Sequence, residues 1–263
     1  MPSTVLLNPD NSPLRTLTLS RLQLDQDAPV CTVETQGEEF LLYSLIGTVD
    51  VCEAVDDGEM QGWGTLGTRR TVTEPGPAVL WFPAGPERLL QVELVDFSAD
   101  LLLASTPVLA PSGPMRPQRP QIWSHQVGAG THQREVREVM TPAGCSLSCG
   151  ETMNIPGGVS SWPPHANAED LAKFQAGVTT WEEAFWIAAP SPGLAVLDGY
   201  YADRTPVHQV IRLENGHAYC MPLGSHMAYA APDSYLYYAW FYRGNALQKQ
   251  YRKYADDVGV YRK

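Results

Sequence analysis

Apolar runs of four to eight residues recur along the chain, and most are bounded by glycine, proline, asparagine or aspartate. Phe40–Ile46, Ala78–Phe82, Leu89–Val95, Ala184–Ala189 and Tyr235–Phe241 are the clearest. Runs of that length with that punctuation are the signature of β-strands. Helical spacing is rare; only Ala168–Phe174 and the tail Leu247–Tyr254 suggest short helices. The pattern predicts an all-β protein.

The proline-rich stretch Pro107–Pro120 interrupts the pattern near its middle. Proline lacks a backbone N–H and cannot donate regularly to a sheet, so this stretch reads as a linker. It divides the chain into residues 1–106, 107–120 and 121–263. The two flanking parts answer one another. Glu38-Glu39-Phe40-Leu41-Leu42 matches Glu182-Glu183-Ala184-Phe185-Trp186, and Ala78–Gly85 matches Ala218–Gly224, with Pro-x-Gly closing each later run. That spacing predicts one barrel repeated.

Composition narrows the function. Net charge is −11 with no basic stripe, which argues against nucleic acid and against an anionic membrane surface. No window has the roughly 18 apolar residues needed to span a bilayer. The start of the chain lacks the basic and apolar regions of a secretory signal. The five cysteines are an odd number with no CxxC, and they read as buried free thiols in a reduced, cytoplasmic protein.

All six histidines lie beyond the proline-rich stretch, so the first part has no imidazole to offer a metal. Two of them sit in distinctive settings: Trp162-Pro163-Pro164-His165, and Pro222-Leu223-Gly224-Ser225-His226. Between them Glu183 opens an apolar strand, where a charge is costly unless a cation or partner offsets it. His125, His132, His208 and His217 read as ordinary structural histidines. After Pro83-x-Gly85 the first repeat has Pro86-Glu87 where the second has Ser225-His226, so the earlier barrel is expected to lack a metal site.

These residues carry a resemblance. Gly150-Glu151-Thr152-Met153-Asn154-Ile155-Pro156-Gly157, leading into Ser160-Ser161-Trp162-Pro163-Pro164-His165, resembles the IolB branch of the KduI/IolB family. Glu182–Trp186, Pro222–His226, Ala231-Pro232 before Tyr235–Tyr238, and Gly67-Thr68-Arg69 agree with it. The resemblance implies a bicupin, two tandem double-stranded β-helix barrels. It also implies an aldose–ketose isomerase converting 5-deoxy-glucuronate in myo-inositol catabolism, with a divalent metal in the C-terminal barrel. Carried over by position, the metal ligands would be His165, Asn167, Glu183 and His226. Asn167 stands where the family has a second histidine. Zn, Mn, Ni or Fe would fit such a set, and the amide oxygen, a harder and weaker donor than imidazole, shifts preference toward Mn²⁺, Mg²⁺ or Ca²⁺.

A metal of this kind polarises a 2-hydroxyaldehyde while a base carries a proton between C2 and C1. Glu182, Tyr201, His208 and Tyr237 are candidates for that proton, and sequence does not rank them; alternation turns Glu182 away from Glu183. A small sugar-acid substrate needs a guanidinium for its carboxylate. Arg134 is preferred over Arg212, Arg243, Arg69 and Arg70, because Thr131–Val136 resembles the family's segment before the metal strand. Trp162 and the aromatic run Tyr235–Tyr242 are expected to pack. Two other readings stay open: a sugar-acid-binding regulator without catalysis, and a different metal-dependent cupin enzyme such as an epimerase or dioxygenase. Homo-oligomerisation is left open as well.

Overall fold

The computed structural model describes residues 3–55, 59–108, 116–142, 144–162, 176–177 and 181–244. The two expected short helices, 168–174 and 247–254, fall outside them, as does half of the proline-rich stretch. Among the described residues the one helical piece is a three-residue 3-10 turn, Gly130–His132. The rest is strand and turn.

The chain forms two compact units. The first comprises Met1–Leu6, Leu17–Ile122 and Val139–Leu147; the second comprises Leu7–Thr16, Trp123–Glu138 and Ser148–Lys263. Leu7–Thr16 goes with the second unit, where Thr16 donates its amide and hydroxyl to Glu182 at 3.1 and 2.9 Å. Val139–Leu147 goes with the first, where the amides of Ser146 and Leu147 reach the Glu39 carboxylate.

In the first unit the strands are β1 (Ser3–Leu7), β2 (Thr18–Asp25), β3 (Val30–Thr35), β4 (Glu39–Ile46), β5 (Val49–Ala54), β6 (Met60–Leu66), β7 (Ala78–Phe82), β8 (Arg88–Leu94) and β9 (Ser98–Thr106). They make one sheet in the order β1-β2-β9-β4-β7 and another in the order β3-β8-β5-β6. Alternate residues from both sheets meet in one core, with Leu22, Phe40, Leu42, Phe82 and Leu101 from the first and Val49, Val51, Leu90 and Val92 from the second. Each such side chain contributes about 1.5–3 kcal/mol when fully buried. Within the proline-rich stretch, Gln118 exchanges backbone hydrogen bonds with Trp81 at 2.8 and 2.9 Å, so the end of that stretch does pair with a strand.

The second unit has β10 (Ile122–Val127), β11 (Arg134–Val139), β12 (Leu147–Asn154), β13 (Val159–Ser160), β14 (Glu182–Ala188), β15 (Gly193–Tyr200), β16 (Pro206–Leu213), β17 (Ala218–Met221), β18 (Leu223–Tyr229) and β19 (Leu236–Arg243). Its sheets run β10-β11-β12-β19-β14-β17 and β13-β18-β15-β16. Adding ten to each strand number of the first unit reproduces this order, with β10 as an extra edge. The repeat visible in the sequence is therefore a repeat of topology.

Its register differs by one residue from the sequence match. Phe40 stands opposite Phe82, the last residue before Pro83, and Glu183 stands opposite Met221, the last before Pro222. Phe40, not Glu39, is thus the counterpart of Glu183. In a strand a one-residue slip exchanges the two faces. Where the second unit turns a carboxylate inward, the first packs Phe40 against Phe82, ring centroids 5.9 Å apart.

Candidate metal centre of the second barrel

Every residue of β14 is buried. Phe185 and Ile187 point into the core, so Glu183 shares their face, while Glu182 and Trp186 take the opposite one. On β18, His226 lies beside Leu197, itself a core residue, and therefore also faces inward. The two side chains approach from opposite sheets: His226 Nε2 is 3.7 Å from Glu183 Oε2, with 11% and 3% of the side chains exposed. That separation is too long for a direct hydrogen bond. Two donors each about 2.1 Å from one cation lie roughly 3 to 4 Å apart, so an N/O pair of this kind fits a shared divalent ion.

Below the pair lies a built polar layer. The Phe185 ring meets His226 edge-on at 5.3 Å and 88°, and stacks on Tyr238 at 4.4 Å and 18°. The Tyr238 hydroxyl donates to Ser160 Oγ at 2.8 Å. Ser160 in turn donates to the Ala228 carbonyl at 3.3 Å. Asn154 Nδ2 reaches both Ser160 Oγ at 3.3 Å and the Ala228 carbonyl at 3.0 Å. Burial pushes the Tyr238 phenol above its usual range. Hydrogen bonding with Ser160 and Thr152 and the charge of Arg134 oppose this, and the charge of Glu183 adds to it. Tyr238 thus lies within electrostatic reach of both Glu183 and Arg134, and it holds its proton.

Two glycines let β15 and β18 pass closely just before His226. Gly199 on β15 and Gly224 on β18 are register partners, with φ of 154° and 149°. A Cβ on Gly199 would sit 2.2 Å from the Leu223 carbonyl oxygen, and one on Gly224 2.2 Å from that of Asp198. Only glycine tolerates that backbone region and that closeness.

The structure brings Glu183 and His226 together. His165 and Asn167 lie outside the described residues, and among the described residues no third His, Cys, Asp or Glu joins the pair. Arg134 pairs with Asn154 across β11 and β12, so it is on the inward face, and its Nη1 donates to the His132 carbonyl at 3.0 Å. The other arginines are committed elsewhere or exposed. Arg69 is buried against the carbonyls of Ser44 and Leu45, Arg70 is exposed, and Arg212 is an exposed partner of Glu214. Arg243 stands opposite Glu182, on the face away from the core.

The four proton-carrier candidates separate cleanly. Glu182 faces outward to Thr16, as alternation predicted. The Tyr237 hydroxyl donates to Glu151 at 2.6 Å on the same outer face. His208 is exposed beside Asp198. Tyr201 alone packs at the edge of the core; burial raises its phenol, and its hydroxyl accepts from Gln209 at 3.3 Å.

The remaining histidines are structural or exposed. His125 stacks on Trp123 at 4.0 Å, His132 ends the 3-10 turn, and His217 is exposed. Trp162, expected to pack, is 42% exposed. Sequence reasoning missed Tyr238. The signal was parity, because Tyr238 is the register partner of the inward Ile187.

The motif from Gly150 to Gly157 turns out to build the wall. A Cβ on Gly150 would lie 2.3 Å from the Trp240 ring. Glu151 is buried in an ion pair with Arg137 at 2.6 Å. Asn154 ties the two sheets, and Gly157 closes a turn by donating to the Ala231 carbonyl at 2.8 Å.

The sequence profile of the KduI/IolB family matches residues 3–258. The chain belongs to the KduI/IolB family. Members of this family are sugar isomerases, and the chain is a carbohydrate isomerase at that level. An IolB-like protein from Salmonella typhimurium LT2 superposes with a TM-score of 0.75 at 18% identity, over 91% of this chain and 88% of that one. Lactobacillus farciminis oxalate decarboxylase, solved as a formate complex, gives 0.60 at 11% identity, over 92% and 81%. Bacillus subtilis oxalate decarboxylase, studied for its Mn(II) centres, gives 0.58 at 8% identity, over 92% and 73%. At those identities the likeness is one of fold, and it makes this KduI/IolB member a bicupin. No curated protein matches the chain. Among the described residues no helix is long and apolar enough to cross a membrane.

Proposed function

We propose that this KduI/IolB member is a metal-dependent aldose–ketose isomerase acting on 5-deoxy-glucuronate in myo-inositol catabolism. The observation that carries the reading is the inward pair Glu183 and His226, 3.7 Å apart between two sheets of one barrel. Together with His165 and Asn167 they would hold a divalent ion, and the Mn(II) centres of a protein of similar fold favour manganese. When bound, such an ion acts as a Lewis acid toward the carbonyl and hydroxyl of a 2-hydroxyaldehyde.

The chain's own residues supply the rest. Phe185, Leu197 and Met221 keep the interior apolar and limit water around the pair. Arg134, the inward arginine on β11, is the candidate to hold the substrate carboxylate. Tyr201 is the candidate to carry a proton between adjacent carbons, since Glu182, Tyr237 and His208 are turned away or exposed.

The test is turnover of 5-deoxy-glucuronate by the Mn²⁺-loaded protein beside Glu183→Gln. Loss of bound Mn²⁺ and a fall in kcat/KM of about a thousandfold or more in the variant are expected, a size typical of removing a central catalytic group. Metal binding without turnover would assign the site to another cupin reaction. A second reading has its own support: Asn167 replaces an expected imidazole, as in a sugar-acid-binding regulator that has lost catalysis. Asn167→His separates the two, because it raises turnover in a working isomerase and leaves a pure binder inactive.

A further inference from the structure

The polar layer beneath Glu183 and His226 has no part in the reading above, and its connectivity runs toward the imidazole. Ser160 fixes the Tyr238 hydroxyl at 2.8 Å while also bonding the Ala228 carbonyl and accepting from Asn154. Its one donor and two acceptor positions are all used. The Tyr238 ring is therefore pinned at its tip and lies face to face with Phe185 at 4.4 Å. The Phe185 and His226 rings then meet at right angles, centroids 5.3 Å apart. Imidazole rotation about its last torsion is soft, since such sp³–sp² torsions are broad, so what packs against the ring sets its direction.

We propose that Tyr238 is a positioning residue that acts through Phe185 to hold the His226 imidazole facing Glu183. The inference rests on the reading of Glu183 and His226 as a ligand pair, and it adds the device that pre-aligns one of them. Aromatic contacts of this geometry favour one relative orientation. Groups that orient a ligand typically change metal affinity by 10- to 100-fold when removed.

The experiment uses the full chain in three forms beside wild type: Tyr238→Leu, Tyr238→Phe and Phe185→Leu. Mn²⁺ affinity is measured by EPR titration. The orientation of His226 is read without metal, from NOEs between its ring protons and neighbours other than residues 185 and 238. Tyr238→Leu and Phe185→Leu are expected to weaken Mn²⁺ binding about tenfold, the low end for such groups, and to change the His226 NOE pattern. Tyr238→Phe keeps the ring but removes its hydrogen bond to Ser160, and affinity is expected to fall, by less than in Tyr238→Leu. Should Tyr238→Leu fail to fold, Phe185→Leu cuts the same chain of contacts one ring later. Unchanged His226 NOEs in a folded Tyr238→Leu or Phe185→Leu variant overturn the proposal. Absence of Mn²⁺ binding in wild type overturns the ligand-pair reading instead, and the NOEs still decide whether Tyr238 orients the imidazole.

Discussion

Removing the guanidinium of Arg137 tests how the wall behind the site is held. Arg137 and Glu151 are 2.6 Å apart, with 4% and 2% of their side chains exposed. Glu151 also accepts from the Tyr237 hydroxyl at 2.6 Å, and Arg137 also donates to Glu135 at 2.7 Å. Burial opposes the arginine's charge, yet its hydrogen bonds to Glu135 and Glu151 outweigh that and raise its pKa. In Arg137→Met the Glu151 carboxylate keeps its tyrosine and loses its counter-charge. Stranding one member of a buried pair costs about 3–5 kcal/mol. For a barrel of this size that is roughly 10 °C in melting temperature. Differential scanning calorimetry of Arg137→Met, Glu151→Leu and the double variant closes a cycle. The double variant is expected to be more stable than Arg137→Met, because the buried charge goes with its partner. Losses below about 1 kcal/mol in the single variants, or losses that simply add, would refute the reasoning.

Two further outcomes follow from groups described above. Burial pushes the Cys220 thiol from 9.0 up to about 12, against a hydrogen bond involving Ser12 and with help from the charges of Glu182 and Asp203. The folded state therefore keeps a proton that the unfolded chain releases near pH 9. Stability from this group is complete below that value and declines as pH rises toward 12, by up to about 1.4 kcal/mol per pH unit. Urea unfolding at pH 8 and 10.5 should show a shallower pH dependence for Cys220→Ala than for wild type, and equal slopes would contradict the assignment. In the first barrel, Phe40→Ala should cost about 3–5 kcal/mol by calorimetry. Phe40→Glu should be destabilised further and gain no metal, since that unit's inward face offers a carboxylate no imidazole partner. A stable or Mn²⁺-binding Phe40→Glu would break the equivalence with Glu183.

Much of the fold was legible because strands buried on both faces leave short continuous apolar runs between turn residues. The runs at Phe40, Ala78, Leu89, Ala184 and Tyr235 all became strands, most within a residue of their expected ends. Faces were harder to read. In β4 and β14, buried almost throughout, both faces are apolar, so nothing in the sequence distinguishes a match to Glu39 from one to Phe40. Tyr238 was hidden for the same reason, in a run where Tyr237 and Phe241 are buried on the other face. The exchange of Leu7–Thr16 and Val139–Leu147 depends on hydrogen bonds to Glu182 and Glu39, which are remote in sequence. The family motif was legible as a whole, but Gly150 and Glu151 proved to shape the wall, while Asn154 belongs to the inward polar layer.

The facing glycines Gly199 and Gly224 bind the history of this strand pair to two codons at once. A methyl group on either one collides with the other strand's main chain, and changing both together relieves nothing, because each backbone sits where only glycine is at ease. Neutral drift has no stepwise route through this spot. Anyone redesigning this barrel should hold these two positions constant and vary the residues around them.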